Sequence, residues 1–176
     1  ILTPSTRSIL EVGAGIGYFA KAFLDQFKTL LAGQNGSVPE GLRYTILDVS
    51  PALIETQKRT LAPVKDFVTI DHVFGNAEEF SALTNQFDLI LSNEVISDLS
   101  VTRVYQAEAE SQDALTTVPE IGELAARYQL RFPNSPPEFF VNTGAMRFIE
   151  NIHRLLRPGG TAVLTEFGEL DAWPLF

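Results

Sequence analysis

The stretch Ser8-Ile9-Leu10-Glu11-Val12-Gly13-Ala14-Gly15-Ile16-Gly17 decides the fold. Its first half is a short apolar run of the kind a buried strand presents. Glycines at 13, 15 and 17 then read as a turn, because glycine takes positive φ without steric cost and leaves no Cβ in the way of a close neighbour. From Tyr18 the period changes to helical over 18–31, with Phe19, Ala22, Phe23, Phe27 and Leu30 on one face. A strand, a glycine turn and a helix in that order open an α/β sheet, and the helix N-terminus aims its free amides at whatever lies above the turn.

Outward from this unit the pattern repeats. Residues 33–41, rich in Gly, Asn, Ser and Pro, read as a loop, and 43–47 as the next strand. Ser50 and Pro51 are an N-cap and first-turn signal for a helix running to about residue 61, where Pro63 stops it. A third strand is predicted over 67–73, a short helix over 77–83 and a fourth strand over 87–91. The last of these is nearly all apolar, as expected when both faces of a parallel sheet are covered. A helix over 143–156, a Pro-Gly-Gly turn at 158–160 and a strand over 162–167 complete the series. The alternation predicts an α/β fold, a doubly wound, mainly parallel, Rossmann-like sheet, with residues 1–176 forming a single domain. Residues 101–142 are too long for a simple connection and read as an insertion. Ile121, Leu124, Ala125 and Tyr128 share a helical face within it, and the proline-rich stretch 133–137 is a loop.

Composition narrows the chemistry. Cysteine is absent, which removes disulfides, thiolate metal sites and a thiol nucleophile. His72 and His153 stand far apart, with no metal-ligand spacing around them, so no metal is expected. Thirteen basic residues against 22 acidic ones, with no basic block, argue against nucleic acid as a partner. No apolar run reaches the roughly 18 residues of a membrane span, and no basic leader precedes an apolar core. The expectation is a cytoplasmic protein without membrane contact, or a mitochondrial matrix protein if the source is eukaryotic. Nothing in the sequence specifies an oligomeric state.

The segment Glu11-Val12-Gly13-Ala14-Gly15-Ile16-Gly17 resembles the E/D-x-G-x-G-x-G motif of class I S-adenosylmethionine-dependent methyltransferases. The dinucleotide pattern G-x-G-x-x-G would require glycine at 18, where this chain has Tyr18, so an NAD-type oxidoreductase is disfavoured. The resemblance implies S-adenosyl-L-methionine as cofactor, its methionine carboxylate near the helix N-terminus and its cationic amino-acid end facing Glu11, directly or through water. Asp48, at the end of the second strand, is in the place of an acid that accepts the ribose hydroxyls; its plainer reading is a helix cap, for which Ser50 is the better candidate. Asn76 in Gly75-Asn76-Ala77 stands where the family offers a polar group to the adenine edge, and it can equally cap a helix. Leu155-Leu156-Arg157-Pro158-Gly159-Gly160 is similar to the family's L-x-P-G-G turn, a structural feature. The resemblance runs from about residue 9 to 167. It implies cofactor contacts from Glu11, Gly13, Ala14, Gly15, Gly17, Asp48, Val49, Asn76, Ala77 and Ser92. It also implies that a sheet of this family would carry two strands beyond the last one read here.

Strand four runs into Ser92-Asn93-Glu94-Val95-Ile96-Ser97-Asp98-Leu99, which is not the D/N-P-P-Y/F motif of base-amino methylation. Asn93 and Glu94 are the candidate catalytic residues, since strand carboxyl ends host the ligand in parallel sheets. Glu94 and Asp98 would share a face if a helix began at Glu94. The alternative makes Glu94 a first-turn acid and Asp98 a surface residue. This segment, with Leu47-Asp48-Val49-Ser50-Pro51-Ala52-Leu53 and Gln57, resembles the MidA-like family, which includes the mitochondrial complex I assembly methyltransferase. That implies a protein arginine as acceptor. Asp48 in place of Glu, and the lack of Pro-Val after Leu99, depart from the family pattern. The other readings are a methyltransferase for a small metabolite, with 101–142 as a lid, and a non-catalytic S-adenosylmethionine-binding assembly factor. Tyr105, Tyr128, Phe132, Phe139 and Phe140 either line such a lid or form a local core.

Overall fold

The computed structural model describes residues 6–33, 38–84, 86–105, 119–132 and 136–168. In chain order the elements are β1 (Ser8–Val12), α1 (Tyr18–Gly33), β2 (Arg43–Asp48), α2 (Pro51–Thr60), β3 (Thr69–Phe74), β4 (Phe87–Asn93), β5 (Thr102–Tyr105), α3 (Pro119–Tyr128), β6 (Glu138–Val141), α4 (Thr143–Leu155) and β7 (Leu156–Thr165). Five strands form one parallel sheet in the order β3-β2-β1-β4-β7. The chain moves outward from β1 to β3 and then returns to β4 on the other side. β1 and β4 therefore flank the point where the strand order reverses, which is where open α/β sheets bind ligands.

Both faces of the sheet are covered, as the doubly wound reading requires. Ile9, Tyr44 and Leu89 face a core that includes Ala20, Leu24, Phe27 and Leu31 of α1. Leu10, Val12 and Ile90 face a second core with Phe148, Ile152 and Leu155 of α4. The α1 stripe is rotated from the one read in the sequence. Phe19 and Leu30 are largely exposed, and the buried line is 20, 24, 27 and 31. Phe19, Phe23 and Phe27 instead stack in a row along the helix, which is the signal that drew the sequence reading to that side.

Other departures have local causes. Residues 77–83 do not form a helix, because Phe80 takes φ +45 to bury its ring against Phe148, 5.8 Å away. The Pro-Gly-Gly segment is not a turn before the last strand but a bulge inside β7. There Phe87 pairs with Leu156 and Leu89 with Thr161, and the residues between loop out around Gly159 at φ +81. The 101–142 insertion is more than helical pieces: β5 and β6 pair as an antiparallel ribbon. Val104, Phe139 and Val141 of that ribbon pack on Ile121 of α3, with Phe132 and Met146 against them. Ile121, Leu124 and Ala125 are buried as the helical period predicts, whereas Tyr128 is largely exposed, its hydroxyl donating to Glu150 on α4. The insertion thus has a small core of its own, seated on α4.

One polar pair lies inside the main core. Glu11 is 2% exposed, and the Tyr44 hydroxyl donates to its Oε2 at 2.8 Å. Burial pushes the Glu11 carboxyl up to about 7, against the Tyr44 hydrogen bond and with help from the nearby Asp48 charge. Tyr44 is itself pushed up by burial and by Glu11.

Two outcomes follow from these cores. Phe148→Ala removes a fully buried ring stacked on Phe80 and should cost about 3–5 kcal/mol in denaturant unfolding. Folded Glu11 holds its proton up to about pH 7, while an unfolded glutamic acid, with its ordinary value of 4.5, has already released it. The folded state therefore binds more protons in that window, and Glu11 subtracts stability as the pH rises through it. Glu11→Gln should gain on the wild type between pH 5 and pH 8, by up to about 3 kcal/mol. Parallel stability–pH curves for the two proteins would contradict this.

Candidate functional site

A cavity of about 500 Å³ opens along the carboxyl ends of β1, β2, β3 and β4. Its size lies in the range of small-molecule and cofactor sites, roughly 300–1,000 Å³. Each strand end contributes in turn. Val12, Gly13 and Gly15 come from the glycine turn; Leu47, Asp48, Val49 and Leu53 from the end of β2 and the start of α2; Gly75 to Glu78 from the turn after β3; and Glu94, Val95, Asp98 and Leu99 from the segment after β4.

The glycine turn is held from both sides. Gly13, at φ +69, donates its amide to the Leu47 carbonyl at 2.9 Å. A Cβ at Gly13 would fall 2.5 Å from Val95 Cγ2, so only glycine lets the turn approach the segment after β4. A Cβ at Gly15 would meet nothing within 4 Å. Gly15 therefore leaves its side of the cavity open.

Asp48 is 5% exposed, and both of its oxygens are held by neutral donors: Oδ1 by the Ser50 amide at 2.9 Å and Oδ2 by Gln57 Nε2 at 2.8 Å. Ser50 caps α2 through its own Oγ, which accepts from the Leu53 amide at 3.3 Å. Asn76 Oδ1 accepts from the Glu78 amide at 2.8 Å, so its side-chain oxygen caps the turn while the residue also lines the cavity. Glu78 accepts from the Ser100 amide at 2.7 Å through Oε1 and pairs with Arg147 through Oε2. Burial works to raise its carboxyl, but these partners outweigh burial and hold it below its usual value.

The segment after β4 is not a helix starting at Glu94, as the sequence suggested. Glu94 takes φ +54 and donates its amide to the Thr165 carbonyl at 2.8 Å; the first regular turn is a 3₁₀ turn at Ile96–Asp98. A non-glycine residue in this region stores about 1–3 kcal/mol of strain, held here by β7. Glu94 and Asp98 nevertheless come together, through the cavity wall rather than a shared helix face, and both are exposed.

Of the residues singled out from the sequence, the structure brings Gly13, Gly15, Asp48, Val49, Asn76, Ala77 and Glu94 to the cavity. The others lie elsewhere. Glu11 is under the turn on Tyr44, because its strand end faces the core rather than the opening. Ala14 packs into the α1 core, and Gly17 lies against Gln57, whose Cα is 3.4 Å from where a Cβ would stand. Ser92 is buried within β4. Asn93 does not line the cavity; its Oδ1 accepts from Thr165 Oγ1 at 2.6 Å. The aromatic residues of the insertion do not line the cavity: Phe132 and Phe139 pack on each other at 5.2 Å, in the local-core reading. Sequence reasoning missed Glu78 and gave Gln57 no role. The residue two after a capping asparagine signals the former; only the tertiary contact exposes the latter.

Among the described residues no group of three or more His, Asp or Glu is placed to hold a metal ion, and no helix is long and apolar enough to cross a membrane.

Comparison with known proteins bears directly on this cavity. Residues 2–172 match the S-adenosyl-L-methionine-dependent methyltransferase family. The chain is 31% identical over 91 residues to the non-reducing polyketide synthase mapC of Penicillium brevicompactum and 30% identical over 88 residues to that of Penicillium roqueforti. These matches take in 52% and 50% of this chain, but only 4% and 3% of the synthases' length. Among solved structures it resembles the DszA carbon methyltransferase, with a TM-score of 0.52 and 20% identity over 97% of this chain and 31% of that one. That likeness is one of fold. With a parallel sheet wound on both faces, a glycine turn at its switch point and a family match over nearly its whole length, the chain belongs to the S-adenosyl-L-methionine-dependent methyltransferases.

Proposed function

We propose that this methyltransferase acts on a cationic nitrogen acceptor, with a protein arginine as the best fit. The observation that carries the reading is the pair of exposed carboxylates, Glu94 and Asp98, on the cavity wall next to the glycine turn. Of the four acidic side chains lining the cavity, Asp48 is held by Ser50 and Gln57, and Glu78 by Ser100 and Arg147. Glu94 and Asp98 are left to meet a ligand. The resemblance of 47–57 and 92–99 to the MidA-like family supports the same acceptor class.

The residues present fit the cofactor. Gly15 leaves the cavity side of the turn open, and the buried Asp48 carboxylate suits a ribose diol, since an ionised carboxylate accepts two hydroxyl hydrogen bonds well. In this reading Gly13 and Gly15 take the amino-acid end, Asp48 the ribose, and Val49, Asn76 and Ala77 the base. When bound, S-adenosylmethionine supplies an electrophilic methyl group on a sulfonium. The protein's own work is positioning. Glu94 and Asp98 hold the guanidinium through charge-assisted hydrogen bonds. They draw positive charge toward the nitrogens they touch, leaving electron density on the one aimed at the methyl, and Glu94 takes the proton that nitrogen gives up.

A second reading, a carbon acceptor on a small molecule, is favoured by the identity with two polyketide synthases together with the likeness in fold to a carbon methyltransferase. There Glu94 would remove a proton from carbon, and Asp98 would have no cation to hold. Transfer to arginine-containing peptides, compared with transfer to a β-ketoacyl thioester, separates the two.

Asp48→Ala should weaken S-adenosylhomocysteine binding by about 1–3 kcal/mol in calorimetric titration. Unchanged affinity would remove Asp48 from the ribose. Glu94→Gln should keep that affinity while slowing methyl transfer by roughly 10²–10⁴-fold. Wild-type turnover in that variant would take Glu94 out of the chemistry.

A further inference from the structure

We infer that Gln57 is a positioning residue that anchors the ribose acid to the glycine turn and so fixes the direction in which Asp48 meets the cofactor. The inference rests on the reading of Asp48 as the ribose acid.

Gln57 is the polar side chain in α2 that is fully buried, at 0% exposure. Its single amide nitrogen makes two hydrogen bonds of 2.8 Å, one to the Gly15 carbonyl and one to Asp48 Oδ2. Both amide hydrogens are therefore spent on acceptors from two different strand ends. Its Oε1 is buried with no hydrogen-bond partner. The two acceptors fix the orientation of the amide: turned over, Oε1 would face a carbonyl and a carboxylate, and both contacts would become repulsive. A buried, unsatisfied acceptor in a folded protein calls for a compensating role. Here the role is to supply two donors at a point where both neighbours need one.

The backbone reinforces the tie. A Cβ at Gly17 would stand 3.4 Å from Gln57 Cα and 3.5 Å from its Cγ, so α2 packs directly on the turn and Gly17, at φ +85, must stay bare. With the Ser50 amide on Oδ1 and Gln57 on Oδ2, the Asp48 carboxylate cannot rotate, and its remaining lone pairs keep one direction. A neutral amide achieves this without neutralising the charge, as lysine or arginine would.

The test is calorimetric, on purified protein, with S-adenosylhomocysteine and its 2′,3′-dideoxy analogue as probes. Gln57→Met keeps the volume and loses both donors; Gln57→Asn keeps the amide and shortens its reach to both acceptors by one methylene. Each should weaken S-adenosylhomocysteine binding about tenfold or more. Each should leave the dideoxy analogue within about threefold, because only the ribose contact depends on the aim of Asp48. If Gln57→Met does not fold, Gln57→Asn decides. Equal weakening of both probes would make Gln57 a packing residue and overturn the inference, as would no change in either. Asp48→Asn separates the two levels. If it abolishes the preference for the hydroxylated probe while the Gln57 variants retain that preference, Gln57 alone is wrong. If it leaves the preference intact, the ribose reading fails and the inference with it.

Discussion

Gly13 leaves β1 with its amide on the Leu47 carbonyl and with Val95 packed where a side chain would begin. That contact brings three strand ends to one place. β2 is held by the hydrogen bond, β4 by the close approach of Val95, two residues past its end, and β1 supplies the glycine. Because β1 sits at the reversal of strand order, the turn is flanked by strands whose following segments diverge, and the cavity is the space between them. A side chain at 13 would force the segment carrying Glu94 and Asp98 away from the turn, and the wall bearing those carboxylates would be lost.

The site is built from donors and acceptors that are mostly spoken for before any ligand arrives. Asp48, Asn76 and Glu78 each have a partner within the protein, and Glu94 is held by its backbone at a strained φ through Thr165. Such an arrangement is set before binding, which suits methyl transfer: the geometry of approach, more than acid–base power, sets the rate of a displacement. The insertion takes part through its anchorage. Asn142 donates to the Ile96 carbonyl at 2.7 Å while capping α4, and the Gly144 amide donates to the Ser100 carbonyl at 2.8 Å. The ribbon and α3 thereby lean on the same segment that carries Glu94 and Asp98.

Local sequence determined a good part of this protein. Ser8–Val12 and the glycines after it announced the first strand and turn, Ser50-Pro51 the start of α2, and the apolar run at 87–91 the centre of β4, each through a rule that acts over a few residues. Their order was enough for a parallel, doubly wound sheet, since alternating strands and helices have few other ways to bury both sheet faces. The position of Asp48 at the cavity could be read because the carboxyl ends of strands open onto the crevice in such sheets. Tertiary structure alone decided which way side chains face and which local preferences yield. Phe80 gave up a helix to bury its ring, Glu94 a helix start to bond with β7, and Glu11 its place at the opening to pair with Tyr44. The partnership of Gln57 with Gly15, 42 residues away, belongs to the same class. The energy of such contacts depends on groups distant in the chain, whose positions no local pattern encodes.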